Sequence, residues 1–181
     1  SCPAILDVLN MGYVIPLWSD FKLMRTEDNV GWISPNTDMF PITIHPEEQI
    51  DAYPFNYNTF RGTVKLINPW QIRTAPGYSC MFVSPFYHKH ENTEVLVGSI
   101  DTDVYHEAHV NTFITSEINQ EIKLDYGMPI VQVIPYKREA FKMETKVGDY
   151  RSAVSKAMQF VHSSMFKAQS YRKKLSPKWF K

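Results

Sequence analysis

Residues 97–139, VGSIDTDVYHEAHVNTFITSEINQEIKLDYGMPIVQVIPYKRE, limit what this chain can become more than any other stretch. An acidic corner (Gly98, Asp101, Asp103) leads into a strand, a polar turn, a second strand, a glycine turn and a third strand. This order reads as a β-hairpin system. Short strands at close spacing with turn residues between them recur upstream, and that pattern belongs to sandwiches and barrels. The expected fold is mainly β: a single-domain barrel or jelly-roll-like sandwich, with a C-terminal α-helix.

The pattern repeats along the chain. Residues 4–10 form one or two helical turns, with Gly12 suited to a cap. Residues 13–18 read as a strand interrupted by Pro16, which puts it at an edge. Residues 21–25 and 31–34 make a hairpin across TEDN. Residues 39–45 and 60–66 are strands on either side of an acidic, proline-bearing loop. Residues 70–74 and 78–83 flank Ala-Pro-Gly, a type II turn signal. Further strands are expected at 94–100, 108–115, 120–124 and 130–135.

At 181 residues, with 44% hydrophobic and 21% charged residues, the chain has enough apolar content for one cored domain. No apolar run reaches the roughly 18 residues of a membrane span. The first residues lack the basic start and apolar stretch of a secretory signal. These features suggest a soluble, intracellular chain that is not secreted by a signal peptide and has no membrane partner. Two cysteines, Cys2 and Cys80, are too few for a disulfide framework, so Cys80 is expected as a buried thiol and Cys2 as exposed.

The net charge of zero conceals a division. Residues 1–149 hold 19 acidic and 11 basic side chains, whereas 150–181 hold eight basic and no acidic ones. From residue 150 to about 174 there is no Gly or Pro, and Ala153, Ala157, Phe160, Val161, Met165 and Ala168 recur at helical spacing. The division expected is a β-domain over 1–149 and a helix with a basic arm over 150–181. Arg172, Lys173, Lys174, Trp179 and Phe180 interleave charge with aromatic surface. They suit docking on another subunit, or nucleic acid through phosphate neutralisation and stacking.

The segment around GSIDTD resembles the late part of the dUTPase-like β-barrel, where a Gly-x-Ile-Asp-x-Asp corner precedes the closing strands. Asp101 and Asp103 are the candidate catalytic carboxylates, and the resemblance implies that Asp101 lies where that family places its water-activating aspartate. Tyr105 falls one residue later than the family's sugar-stacking tyrosine, and Gln132 lies near the pocket. Mg²⁺ would hold the phosphates. APGYSCMFVSPF is similar to the family's strand leading to a Pro-Arg-Ser phosphate loop, but here Pro85 is followed by Phe86 and Tyr87. The glycine-rich C-terminal arm is also missing. Arg61, Arg73 or Arg138 would have to replace the absent phosphate ligand.

His88, His90 and Glu94 have the His-x-His-x3-Glu spacing of the first cupin metal motif. Alternate residues of a strand face one way, so two imidazoles there would converge on Fe, Mn or Zn. His106 and His109 follow closely. The expected glycine spacing and the second cupin motif are missing, and a polar hairpin loop is the competing reading. GYSC is not a nucleophile elbow, and no phosphate-cradling loop occurs.

Four segments in order, CPAILDVLNMGYVIPLWSD, INPWQIRTAPGYSCMFVSPF, GSIDTDVYHEAHVNTFI and YGMPIVQVIPYKRE, resemble an uncharacterised domain family of tailed phages and some bacteria. That family brings no activity. The leading expectation is a non-catalytic binding or assembly protein that self-associates or docks on a viral or intracellular protein, with no cofactor. A nucleotide enzyme using Asp101 and a cupin-like metalloprotein are the alternatives.

Overall fold

A computed structural model describes residues 2–35, 41–45, 63–145, 147, 151, 154–156 and 158. Two units emerge from proximity: Met11–Arg138, and Ser1–Asn10 with Glu139–Lys181. The division expected from sequence, at residue 149, differs in where it puts residues 1–10 and 139–149. In the second unit, helix α1 spans Pro3–Leu9. Proline at its start fits, because its fixed φ suits a helix and its missing N–H would be unsatisfied there anyway. The Asn10 N–H closes the last turn on the Leu6 carbonyl at 3.0 Å. Arg151, residues 154–156 and Met158 are helical, within the helix expected from residue 150. Among the described residues no helix is long and apolar enough to cross a membrane.

Met11–Arg138 holds the eleven strands of the described residues: β1 (Tyr13–Pro16), β2 (Phe21–Arg25), β3 (Val30–Ile33), β4 (Ile42–His45), β5 (Thr63–Leu66), β6 (Tyr78–Val83), β7 (Thr93–Val95), β8 (Gly98–Ile100), β9 (Val110–Ile114), β10 (Glu121–Leu124) and β11 (Pro129–Lys137). They form three antiparallel sheets, ordered β1-β11-β6-β8, β10-β2-β3 and β4-β5-β9-β7. The mainly β expectation holds, but the sheets do not close into a barrel. As expected, β1 is an edge strand, and β2 and β3 pair across the Thr26–Asn29 turn.

The hairpin reading of 97–139 is corrected. β8 pairs with β6, β9 with β5 and β7, β10 with β2, and β11 with β1 and β6. None of these four pairs with its neighbour in sequence. The strand expected at 94–100 is two strands in different sheets. The Leu96 N–H still bonds the Asn111 carbonyl at 2.8 Å, and Gly98 already pairs with Phe82. The chain turns a corner at Leu96 and Val97, as strands do when they switch sheets. Residues 70–74 form no strand. Prolines 69 and 76 bracket them, and only isolated bonds reach the neighbouring loop, from Ile72 N to His106 O (3.0 Å) and from Thr74 N to Thr102 O (3.3 Å).

All three sheets contribute to one core. Phe21, Leu23 and Ile122 come from one sheet; Val64, Leu66, Val110 and Ile114 from the second; Cys80, Phe82, Val131 and Val133 from the third. Side chains such as Val64, Leu66, Ile114 and Ile130 are 0% exposed, so each contributes about 2 kcal/mol through burial. Cys80 is buried and Cys2 exposed, both as free thiols, as expected.

Candidate functional site

Strand alternation builds the acidic corner. Cys80 pairs with Ile100 and Pro135, and Ser79 with Tyr136. Successive side chains point to opposite faces. With Cys80 in the core, Ser79, Asp101 and Tyr136 therefore share the other face. Arg138 follows the end of β11, and its N–H bonds the Gly77 carbonyl at 2.9 Å. The intervening turn is drawn tight: the Val104 and Tyr105 amides both reach the Asp101 carbonyl, at 2.9 and 2.8 Å. Thr102 is 0% exposed, and its hydroxyl lies 2.8 Å from Thr74 Oγ1 and donates to Cys80 Sγ at 3.3 Å.

One guanidinium holds both aspartates. Arg138 Nη1 lies 3.1 Å from Asp101 Oδ1 and 2.9 Å from Asp103 Oδ1, and Nη2 pairs with Asp103 Oδ2. Nη1 also donates to Ser79 Oγ at 3.0 Å and to the Tyr78 carbonyl at 3.2 Å. Ser79 Oγ donates to Asp101 Oδ1 at 2.6 Å, and the Gly77 N–H donates to Asp103 Oδ2 at 2.8 Å. The Arg138 hydrogen bond, aided by the Gly77 amide, lowers the Asp103 pKa from 3.8 to about 2. The same carboxylates raise that of Arg138.

This arrangement decides what the corner can do chemically. Asp101 Oδ1 already receives Ser79 and Arg138, while the Asp101 side chain stays 63% exposed, so these bonds orient the carboxylate without covering it. A Mg²⁺ bridging the two aspartates would have to displace a guanidinium of like charge. Asp101 and Asp103 are thus brought together, as the sequence anticipated, but with a cation between them. Of the other arginines, Arg73 donates to Gln71 Oε1 at 3.2 Å, and Arg61 lies outside the described residues.

The remaining candidates are dispersed. Tyr105 is exposed. Gln132 is buried and engaged at both ends of its amide: its Nε2 donates to the Met11 carbonyl at 2.6 Å, and its Oε1 accepts from the Phe86 amide at 3.1 Å. It ties the start of β1 to the turn after β6. His88 and His90 sit in the loop between β6 and β7, so strand alternation does not align them; Glu94 is on β7. His90 Nε2 lies 2.7 Å from the Pro129 carbonyl, which only accepts, so that nitrogen carries the hydrogen. His106 Nδ1 meets the Thr102 carbonyl at 3.0 Å. Burial, and then Lys65, lowers the pKa of His109 against the opposing pull of Glu107. No three His, Cys, Asp or Glu side chains among the described residues form a group able to hold a metal ion. Arg172, Lys173, Lys174, Trp179 and Phe180 lie outside the described residues.

Sequence reasoning named Arg138 only as a substitute phosphate ligand and missed its role in the corner. Its partners lie far upstream, and no local spacing signals the pairing. No family model matches the chain, and comparison with curated proteins and with solved structures also gave no match.

Proposed function

We propose that this chain is a non-catalytic binding or assembly β-domain of the phage type that its sequence resembles. The observation that carries this reading is Arg138 lying between Asp101 and Asp103. It supports reading the most enzyme-like feature of the sequence as a structural tie. The partner is a second copy of the chain or another viral or intracellular protein in the host cytoplasm or the virion. The basic tail with Trp179 and Phe180 supplies the docking anchor, with nucleic acid as the other ligand its charge suits. Exposed aromatic and aliphatic side chains on the strand unit, including Tyr13, Ile33 and Tyr126, offer further contact surface.

Two measurements on the full chain test the proposal. Sedimentation from low to high micromolar concentration is expected to show reversible association that weakens when Trp179 and Phe180 are both changed to Ala. A monomer throughout, with no partner retained from a phage-infected lysate, would argue against assembly. A panel of deoxynucleoside triphosphates with Mg²⁺ is expected to give no turnover. Hydrolysis that disappears in Asp101→Asn would instead establish the dUTPase-like alternative.

A further inference from the structure

The loop that follows β6 borders a groove of about 710 Å³, a size within the range of small-molecule sites. It shares no residue with the acidic corner. Its buried lining is Pro85, Thr93, Val95 and Ile130; its exposed lining includes Tyr87, His88, Lys89, Glu91 and Glu94.

Tyr87 stands out by its backbone. The His88 N–H bonds the Pro85 carbonyl at 3.1 Å, closing a four-residue turn in which Tyr87 holds the third position with φ of 63°. That position ordinarily takes Gly or Asn, because L side chains rarely adopt positive φ. Here it carries a large aromatic side chain that is 71% exposed beside the groove. The turn is fixed from below by the buried Gln132 amide through Phe86. A strained position that displays an aromatic ring at the rim of a concavity is a feature of binding sites.

The polar lining narrows the ligand. The side chains of His88, Lys89, Glu91 and Glu94 make no hydrogen bond or ion pair with another described residue. Carboxylates accept, the ammonium donates, and imidazole does either, so together they match groups that both donate and accept, namely hydroxyls. Two glutamates against one lysine disfavour phosphate or carboxylate ligands. The face of Tyr87 adds a surface for the C–H groups of a ring.

We infer that this groove binds a neutral polyhydroxylated ligand, a saccharide, with Tyr87 as its stacking platform and Glu91 and Glu94 as its hydroxyl acceptors. The site does not depend on self-association, so its failure and that of the assembly proposal are read separately.

The experiment is an NMR titration of the full chain with glucose, galactose, N-acetylglucosamine and maltose, and with inorganic phosphate as the anionic comparison. Saturable shifts confined to residues 84–95, Thr115 and Ile130 are expected for at least one saccharide and none for phosphate. Tyr87→Gly suits the backbone, so its unfolding midpoint is expected to stay at or above that of the parent while affinity falls about tenfold, as for loss of an aromatic contact. Glu94→Gln weakens binding, and Glu121→Gln on β10 leaves it unchanged. The inference is overturned if no saccharide gives saturable shifts at millimolar concentration. It is likewise overturned if phosphate binds in the groove, or if saccharide affinity survives in Tyr87→Gly.

Discussion

Gly12 and Gly77 share a left-handed backbone but not a neighbourhood. Gly12 has φ of 69°, and a Cβ there would sit 1.9 Å from the Val133 carbonyl oxygen of β11. Gly77 has φ of 83° with nothing within 4 Å of the same atom. Gly77→Ala therefore carries only backbone strain, about 1 kcal/mol, whereas Gly12→Ala adds a backbone collision and is expected to cost about 3 kcal/mol or more. Urea denaturation of both variants checks the difference. Asp103 gives a second residue-scale expectation. Its pKa is lowered in the fold, so its contribution to stability is fully present above pH 3.8 and is lost as pH falls toward about 2. Asp103→Asn removes that contribution, so the variant is expected to be less stable near neutrality and to show a flatter stability profile between those values. An acid titration of the unfolding free energy decides it.

At the scale of elements, β11 carries the first sheet. It is the longest strand among the described residues, and β1 and β6 pair along its two edges. Its Ile130 and Val131 are 0% exposed, whereas Ile33 at the end of the edge strand β3 is 69% exposed. Ile130→Ala is expected to lower stability by about 2–5 kcal/mol through lost burial and a cavity, and Ile33→Ala to stay within about 0.5 kcal/mol. Amide exchange should rank the two strands the same way. Elements also differ in how legible they were. Both bounds of β6 follow from sequence, because the Ala-Pro-Gly turn sets where the strand begins and Pro85 limits it. The corner between β7 and β8 was not legible: TEVLVGSI is an unbroken strand pattern, and the switch at Leu96 and Val97 depends on which sheet each half finds.

For the whole molecule, the strand-bearing unit spans Met11–Arg138, and its last residue closes the acidic corner. A fragment of residues 11–138 is expected to unfold cooperatively in a single transition, because it contains all the residues of the core cluster. A fragment ending at 137 retains the core but loses the guanidinium, and is expected to be less stable. Thermal melts of the two fragments test this, and a first fragment without a cooperative transition would contradict the single-core account. The candidate site divides in the same way. The aspartates were visible as a motif, but the arginine that neutralises them lies 35 residues beyond Asp103, and only the β6–β11 register delivers it.

The sequence by itself determined most of where the chain extends and turns, residues 70–74 and the corner at Leu96 and Val97 excepted. Proline, glycine and β-branched residues act through local torsions, and local torsions are what a linear string records. It also determined that an acidic corner would exist. The tertiary structure alone decided which strands meet, as in β10 beside β2, and whether a carboxylate faces solvent, substrate or an arginine. Those outcomes depend on long-range pairing, where closure entropy is offset only by burying a shared core. A residue's neighbours in that core are set by all three sheets at once, so no single segment encodes them.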